Sequence, residues 1–158
     1  MRSNILNIFL FLLFYFGCFN AQSAEPFNFD VTEVQILENG NKFIGVKKGT
    51  ISSNNGIVID ANQFTYDKIT NILNASGNVK VNDKVNNNII FTEKLIYDKN
   101  KEIIYTKKKS KGISPENNIE IFANDFEYDI PKNIIIAKKN VIIENKLENY
   151  QIFADLVT

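Results

Sequence analysis

The chain has 158 residues, enough for one domain, and its 18 basic residues balance 18 acidic ones, so the formal net charge is zero. This balance excludes a nucleic-acid binder that relies on bulk positive charge. The chain has no His and no Trp, and its one cysteine is Cys18, so it cannot build a Cys/His zinc site or a His-assisted nucleophile. The composition therefore favours a binding or scaffolding protein over an enzyme, and it predicts neither a metal nor a cofactor.

The first predicted element is a secretory signal peptide over residues 1–24. Met1–Asn4 carries the only arginine, and residues 5–19 form an almost unbroken apolar run. This run of about fifteen residues is shorter than the roughly 20 that a membrane-spanning helix needs. Ala21 and Ser23 supply the small residues that a signal peptidase requires. The pattern therefore predicts export of the chain.

Two other interpretations of this segment remain open. It could stay attached as an uncleaved anchor, or Gly17-Cys18 could end a lipobox and make the chain a lipoprotein. If the signal peptide is removed, the mature domain over residues 25–158 contains no cysteine. Such a domain depends on its core and its hydrogen bonds, because no disulfide is available.

The rest of the chain repeats every 31 residues. Two aromatic positions follow this period: Tyr66, Tyr97 and Tyr128, each before an Asp, and Phe91, Phe122 and Phe153. A gap-free alignment of Ala61–Val81 with Ala123–Ile143 gives ten identities in 21 positions, and the copy between them is more divergent. Self-similarity at a fixed period predicts structural units that stack on one another.

Each copy has the pattern of short β-strands. Phe64–Tyr66, Asn71–Ala75 and Val79–Val81 alternate apolar with polar residues, which is typical of half-buried strands. Ser76–Asn78 is predicted to be a turn, as is Lys138–Asn140 in the third copy. In the middle copy a lysine-rich segment replaces the third strand, which we expect to be missing: Lys107–Gly112. The fold class is therefore all-β, with short antiparallel strands.

Alternation predicts which side chains share the inner face of the sheet. A one-residue shift of register would turn all of them outward. The set comprises Ala61, Phe64, Tyr66, Leu73, Ala75, Val79 and Val81, then Leu95, Tyr97 and Ile104, and then Ala123, Phe126, Tyr128, Ile135, Ala137, Val141 and Ile143.

The stretch Ala61–Val81 resembles the repeat of the OstA-like domain family, with Ala75–Val81 (ASGNVKV) as its most specific part. The family includes the lipopolysaccharide-transport protein LptA and the N-terminal part of the assembly protein LptD. The opening segment Phe27–Gly49, with a turn at Glu38–Asn41, looks most like the first strands of an LptD-type domain. The resemblance covers about Phe27 to Val157.

The resemblance implies a fold, a ligand and a location. The fold would be an open antiparallel β-jellyroll, and the protein would lie in the periplasm of a Gram-negative bacterium, associated with the outer membrane if it is part of an LptD-like protein. Lipopolysaccharide would bind through its lipid A acyl chains in an apolar groove. The implied groove lining is Phe64, Tyr66, Leu73, Val79, Val81, Leu95, Tyr97, Ile104, Phe126, Tyr128, Ile135, Val141 and Ile143.

The resemblance also implies partners, because such domains join edge to edge. We expect open edges at the first strand, about Phe27–Ile36, and at Ile152–Val157, since unpaired backbone at a strand edge favours β-addition. The residues expected at the second edge are Phe153, Leu156 and Val157. The chain is either an LptA-like domain or the front fragment of a longer LptD-like protein, and the fragment is the preferred alternative.

Several features also have simpler interpretations. The repeated Asp67, Asp98 and Asp129 are expected to start turns rather than to bind calcium. The lysines of Lys107–Lys111 are expected in a solvated loop, with contact to lipid A phosphates as the alternative. The aromatic stripe can serve as core, as groove lining, or as both. A secreted structural β-repeat, such as an adhesin or carbohydrate-binding module, remains the rival function, and an enzyme is the weakest.

Overall fold

The computed structural model describes residues 27–158, and the predicted signal peptide lies outside this range. A short 3-10 turn, Glu38–Gly40, interrupts the strands. No helix within the described residues is long and apolar enough to cross a membrane. The strands are β1 (Phe27–Val31), β2 (Val34–Leu37), β3 (Lys42–Gly45), β4 (Gly49–Ser53), β5 (Ile57–Ala61), β6 (Gln63–Asp67), β7 (Ile72–Asp83), β8 (Asn88–Asp98), β9 (Ile103–Lys107), β10 (Ser110–Ser114), β11 (Ile119–Ala123), β12 (Asp125–Asp129), β13 (Ile134–Asn145) and β14 (Tyr150–Val157).

The strands form two antiparallel half-sheets that meet along a corner. The first half-sheet contains, in order, β1, β4, β5, the end of β7, the start of β8, β10, β11, the end of β13 and the start of β14. The second contains β2, β3, β6, the start of β7, the end of β8, β9, β12, the start of β13 and the end of β14. The long strands run through both half-sheets, and the line where they cross is the corner.

The strand ends that lie away from the corner form two rows of turns, one for each half-sheet. The turns of the first half-sheet are 54–56, 84–87, 115–118 and 146–149, and those of the second are 38–41, 68–71, 99–102 and 130–133. Within each row the turns are joined by backbone hydrogen bonds, such as that from the Lys99 amide to the Asn71 carbonyl at 3.0 Å. We call the side of the molecule where the two rows face each other the seam.

The predicted turns at Ser76–Asn78 and Lys138–Asn140 are wrong. Both segments are bulges inside continuous strands of 12 residues, β7 and β13. Gly77 and Asn78 have positive φ angles of 76° and 51° and lie where the register of β7 on β8 shifts. Residues of this kind are typical of turns, but here they bend the strand around the corner without reversing it.

The prediction that the middle copy lacks its third strand is also wrong. β9 ends at Lys107 and β10 begins at Ser110, so the strand is present. Only Lys108 and Lys109 lie between them, with positive φ angles of 69° and 44°. The lysine segment therefore does not form a long solvated loop. Most of it is strand, and its two left-handed residues take the corner position that the bulges take in the other copies.

The expected first edge, Phe27–Ile36, is two strands rather than one. The chain leaves β1 at Val31 and begins β2 at Val34. Because β1 pairs with β4 and β2 pairs with β3, the two strands belong to different half-sheets. Each half-sheet therefore has its own edge at this end of the molecule.

Left-handed backbone conformations recur with the 31-residue period. They mark three places in each copy: Gly40, Asn71, Glu102 and Asn133 in the turns of the second half-sheet, Gly56, Asn87, Asn118 and Asn149 in those of the first, and Gly77–Asn78, Lys108–Lys109 and Lys139–Asn140 at the corner. Gly and Asn adopt this conformation at the lowest cost. Much of the asparagine in the sequence is therefore explained by turn geometry.

The inner faces of the half-sheets pack against each other in one apolar cluster. Phe27 of the first half-sheet, for example, contacts the rings of Tyr66 and Tyr97 of the second, with centroids 5.0 and 5.5 Å apart. Every residue of the predicted inner face belongs to this cluster, except that Ile135 and Ile143 are half-buried and pack against it. The prediction of the inner face and of its register is confirmed.

Candidate functional site

The predicted groove-lining residues all face the interior between the half-sheets. Eleven of the thirteen are buried: Phe64, Tyr66, Leu73, Val79, Val81, Leu95, Tyr97, Ile104, Phe126, Tyr128 and Val141. The other two, Ile135 and Ile143, are half-buried and lie toward the β14 end. The interior is thus largely apolar, with the buried hydroxyls of Thr92, Thr106 and Ser110 hydrogen-bonded to one another. The role of the predicted residues in binding lipid remains a prediction.

One inner row of side chains runs the length of the first half-sheet. Strand register places the following side by side, one from each strand: Phe29, Ile51, Ile59, Val81, Ile90, Gly112, Ile121, Ile143 and Ile152. Burial changes along this row, since Ile90 is 1% exposed whereas Ile152 is 48% exposed. The interior therefore opens toward β14, and we call this region, formed by Ile121, Ile135, Ile143 and Ile152, the mouth.

Sequence reasoning missed most of this inner row. Ile59, Ile90, Ile121 and Ile152 are each 31 residues apart, so the period itself carried the signal. The phenylalanines that follow the last three, Phe91, Phe122 and Phe153, have the same period and were the ones identified from the sequence. Because neighbouring residues in a strand point to opposite faces, those phenylalanines lie on the outer face.

Aromatic rings fill the opposite end of the interior. Phe29 stacks on Phe43 at a centroid distance of 5.6 Å, and Phe27 meets Tyr66 edge-on. Such ring pairs add about 0.5–1.5 kcal/mol each beyond the area that they bury. Beyond this cluster, β2 leaves Ile36 60% exposed although it lies beside Phe43 on the inner face. The rings therefore close this end of the interior, and an exposed apolar side chain lies beyond them at the β2 edge.

Within residues 27–158, hydrogen bonds close the seam at two places. At the first, Asn55 donates from its side-chain amide to the Tyr97 hydroxyl at 2.9 Å. Asn55 lies in a turn of the first half-sheet and Tyr97 on a strand of the second. Burial raises the pKa of Tyr97, and this contact partly offsets that effect. The bond therefore links the two half-sheets on the side where no strand connects them.

The second closure is a network around Tyr128, one repeat further along. The Tyr128 hydroxyl donates to the Asp83 carboxylate at 2.5 Å, and Asn88 donates to Asn133 at 2.7 Å. Asn86 reaches both the Tyr128 hydroxyl, at 3.2 Å, and the Ile130 carbonyl, at 3.4 Å. Since Asn55 and Asn86 are 31 residues apart, as are Tyr97 and Tyr128, the two closures are equivalent positions of the repeat.

The carboxylate in this network is almost completely buried. Asp83 is 1% exposed, and burial opposes its ionisation. The hydrogen bonds donated by Tyr128 and Asn86 outweigh that effect and hold the pKa of Asp83 below its usual value. Burial, aided by the hydrogen bond to Asp83, raises the pKa of Tyr128 to about 12. The pair therefore consists of a neutral tyrosine and a charged aspartate at neutral pH.

The seam is not closed at the mouth. Within residues 27–158, no hydrogen bond joins the turns 115–118 or 146–149 to the second half-sheet. Their bonds stay within the first half-sheet, such as that from the Lys146 amide to the Asn118 carbonyl at 3.3 Å. The half-buried residues of the mouth lie in this same part of the molecule.

The two ends of the half-sheets are unpaired edges within the described residues. β1 pairs only with β4, β2 only with β3, and β14 only with β13. Of the residues predicted at the second edge, Phe153 and Leu156 lie on the outer face and are 69% and 61% exposed, whereas Val157 faces inward and is half-buried. Both expected edges are therefore present, and their pairing with a partner remains a prediction.

The periodic phenylalanines lie on the outer face, where lysines lie over two of them. Lys80 lies over the Phe91 ring at 5.9 Å, and Lys111 lies over the Phe122 ring at 5.2 Å. Beside them a surface groove of about 1060 Å³ follows the corner. Lys111 also forms an ion pair with Glu120 at 3.0 Å. These contacts cover one side of the Phe91 and Phe122 rings, whereas Phe91 remains 38% exposed and Phe153 is 69% exposed.

The repeated aspartates have the turn role that the sequence predicted. Asp67 accepts hydrogen bonds from the amides of Ile69 and Thr70, both at 2.9 Å. Asp98 and Asp129 accept from amides three residues further on. Within the described part of the chain, no three acidic or other metal-ligating side chains are placed to hold a metal ion.

Comparisons with solved structures give a likeness of fold. No protein-family model matches the chain, and no curated protein matches its sequence. Sixteen chains of solved structures match. Among them is LptH from Pseudomonas aeruginosa, the LptA-homologous periplasmic component of the conserved lipopolysaccharide transport device. The TM-score is 0.63 at 11% identity, over 73% of this chain and 83% of LptH. This likeness confirms the predicted antiparallel β-jellyroll.

Proposed function

We propose that this chain is a periplasmic lipopolysaccharide-transport protein that carries lipid A acyl chains in its interior. Its role is binding and transfer, with no catalytic step. Two independent observations support the proposal. The sequence of Ala61–Val81 resembles the OstA-like repeat, and the fold resembles that of a periplasmic component of a lipopolysaccharide transport device.

The observation that carries the proposal is the inner apolar row. It reaches from Phe29 on β1 to Ile152 on β14 and is exposed at the mouth. An acyl chain binds such a surface without directional contacts, gaining about 0.8 kcal/mol for each CH₂ removed from water. A soluble domain rarely leaves such a surface open unless something covers it.

The edges support a partner of the same architecture. Within the part of the chain that the structure describes, β1 and β2 end the two half-sheets on one side, and β14 ends both on the other. A second OstA-like domain that adds its strands there would continue both half-sheets and join the two interiors. The likeness to LptH favours an LptA-type component, and the LptD-type assignment rests on the opening segment Phe27–Gly49.

A photo-crosslinking experiment tests the lipid proposal with neighbouring isoleucines as matched sites. Ile143 faces the mouth, whereas Ile142 pairs with Phe153 on the outer face of the same strand. We expect a photoreactive residue at Ile143, in cells that make lipopolysaccharide, to yield lipopolysaccharide adducts, and one at Ile142 to yield none. Equal labelling, or no labelling at Ile143 in exported protein, would contradict the proposal.

A structural β-repeat is the second candidate, and one observation favours it. The interior beside β5–β9 is filled with side chains, since Leu73, Tyr97 and Ile104 are 0% exposed. A solenoid with a purely structural role has such an interior throughout. The two functions differ at the mouth, so absence of lipid at Ile143 in folded, exported protein would favour this candidate.

A further inference from the structure

The interior has no free space for an acyl chain where the seam is closed. Tyr97 and Tyr128, together with Ile104 between their strands, are 0% exposed. Side chains in such a core pack as densely as in organic crystals. If lipid travels along the interior, the half-sheets must therefore move apart in this region.

Movement apart is possible on only one side of the molecule. At the corner, β7, β8 and β13 pass from one half-sheet to the other without interruption, so the backbone itself holds them together. At the seam no strand crosses within the described residues. Only side-chain hydrogen bonds and apolar contacts join the two rows of turns there, and these can break while every strand ladder stays intact.

We propose that acyl chains enter and leave the interior sideways through the seam, and that two tyrosine latches hold it shut. The latches are Tyr97 with Asn55 and Tyr128 with Asp83. This inference rests on the proposed function and adds to it the route by which the lipid moves. The latches are weak enough to open, because a net hydrogen bond in a protein shifts such an equilibrium by about fivefold for a neutral acceptor and by about tenfold or more for a charged one.

The geometry also gives the order of opening. Among the described residues, the seam has no hydrogen-bond cross-link at the mouth, beside the turns 115–118 and 146–149. The Tyr128 latch is the next one along, and the Tyr97 latch lies beyond it. Opening that starts at the mouth therefore reaches Tyr128 before Tyr97.

A reversible tether across the seam tests this route. The side chains of Asn88 and Asn133 meet across the seam at 2.7 Å. N88C/N133C, joined by a short bis-methanethiosulfonate crosslinker, would fix the half-sheets together. The matched control is N71C/N100C, because Asn71 and Asn100 also meet at 2.9 Å but belong to turns of the same half-sheet. Both pairs are placed in the full chain with C18S.

The readout is the initial rate at which the protein takes up tritiated lipid A from phosphatidylglycerol vesicles. We expect the tether on N88C/N133C to lower this rate by on the order of tenfold, because the closed state then predominates. Reductant should restore the rate, and the tether on N71C/N100C should leave it unchanged. Uptake at the untethered rate by tethered N88C/N133C would overturn the seam route while leaving the proposed function intact.

A second variant tests the same equilibrium between the closed and open seam by favouring the open state. Y97F/Y128F keeps both rings and removes both hydroxyls, so the seam opens more often. Uptake should rise by about fivefold for the loss of the Tyr97 hydroxyl and by about tenfold or more for the loss of the Tyr128 hydroxyl, whose acceptor is charged. An unchanged uptake rate in the folded double variant would overturn the latch assignment. If the wild-type chain takes up no lipid A at all, the proposed function fails and the seam route fails with it.

Discussion

Three tyrosines at one position of the repeat make three different contacts. Tyr66 donates to Asn71 in the turn that follows its own strand, at 2.8 Å. Tyr128 makes the equivalent bond to Asn133 at 3.3 Å and also reaches across the seam to Asp83, and Tyr97 reaches across the seam to Asn55. A buried tyrosine ring contributes to the core in each case, and the partners of its hydroxyl determine whether it fixes a turn, joins the half-sheets or does both.

Removal of the Tyr128 hydroxyl should destabilise the fold more than removal of an outer one. Y128F leaves the buried carboxylate of Asp83 with fewer donors, and we expect a loss of about 1–3 kcal/mol in the free energy of unfolding. Urea denaturation followed by circular dichroism measures this loss. The control is Y105F, because the Tyr105 hydroxyl is on the outer face and makes no hydrogen bond within the described residues. Equal effects of the two substitutions would contradict the assignment.

The same pair predicts a stability change at high pH. The pKa of Tyr128 is raised from 10.0 to about 12 in the folded protein. Its contribution is therefore complete below pH 10 and is lost as the pH rises from 10 toward about 12, because the unfolded state releases the proton first. We expect the difference in unfolding free energy between wild type and Y128F to shrink over this interval. A constant difference from pH 8 to 12 would show that Tyr128 keeps an ordinary pKa in the fold.

At the scale of the element, the corner is made by residues that appear in the sequence as turns. Gly77 has a φ of 76°, and a Cβ at this position would lie 2.9 Å from the Asn62 side-chain amide nitrogen. Asn62 lies between β5 and β6, where the strands beside β7 turn the same corner. A small left-handed residue is therefore required by both backbone and packing.

Two glycine substitutions separate these requirements. G77A should lower the free energy of unfolding by about 1–2 kcal/mol for the left-handed backbone, with an added loss for the contact with Asn62. G40A has the backbone cost alone, because Gly40 has a φ of 90° and a Cβ there would meet nothing within 4 Å. Urea denaturation should therefore show the larger loss for G77A. Losses of equal size would mean that Asn62 moves aside without cost.

The sequence predicted the inner face well and the corner poorly, for a physical reason. Alternation depends on which side of a strand a residue faces, and Leu73, Ala75 and Val79 keep that side even across the bulge. Whether a Gly-Asn pair reverses a strand or only bends it depends on the neighbouring strands, which local residues do not reveal. The seam was missed because Asn55 and Tyr97 are 42 residues apart, and an asparagine in a turn gives no sign of a distant partner.

At the scale of the whole molecule, the free edge of β14 determines whether copies or relatives can add to it. Its exposed residues include Ile152 and Phe153. In an edge strand, successive amide groups point alternately toward the neighbouring strand and toward the free side. One of these two neighbours therefore offers its N–H to a partner, and the other offers it to β13.

Adjacent proline substitutions test the edge without changing the core. Proline removes one backbone donor and is tolerated where that donor faces the free side. We expect one of I152P and F153P to abolish association with a second OstA-like domain at an unchanged melting temperature, and the other to lower the melting temperature. Crosslinking and thermal denaturation measure the two effects. If both variants associate as the wild type does, pairing through β14 is excluded.

The 31-residue period also sets a unit of length. Each unit passes twice through both half-sheets, adding two strands to each, or about 9.6 Å at the usual strand spacing. Left-handed residues at the same three places in every unit mean that a unit can be duplicated or deleted without designing new turns. The length of such a protein therefore changes in whole units. A protein that must span a wider gap can lengthen its interior by adding units, and each added unit brings its own corner, its own turns and its own position for a tyrosine at the seam.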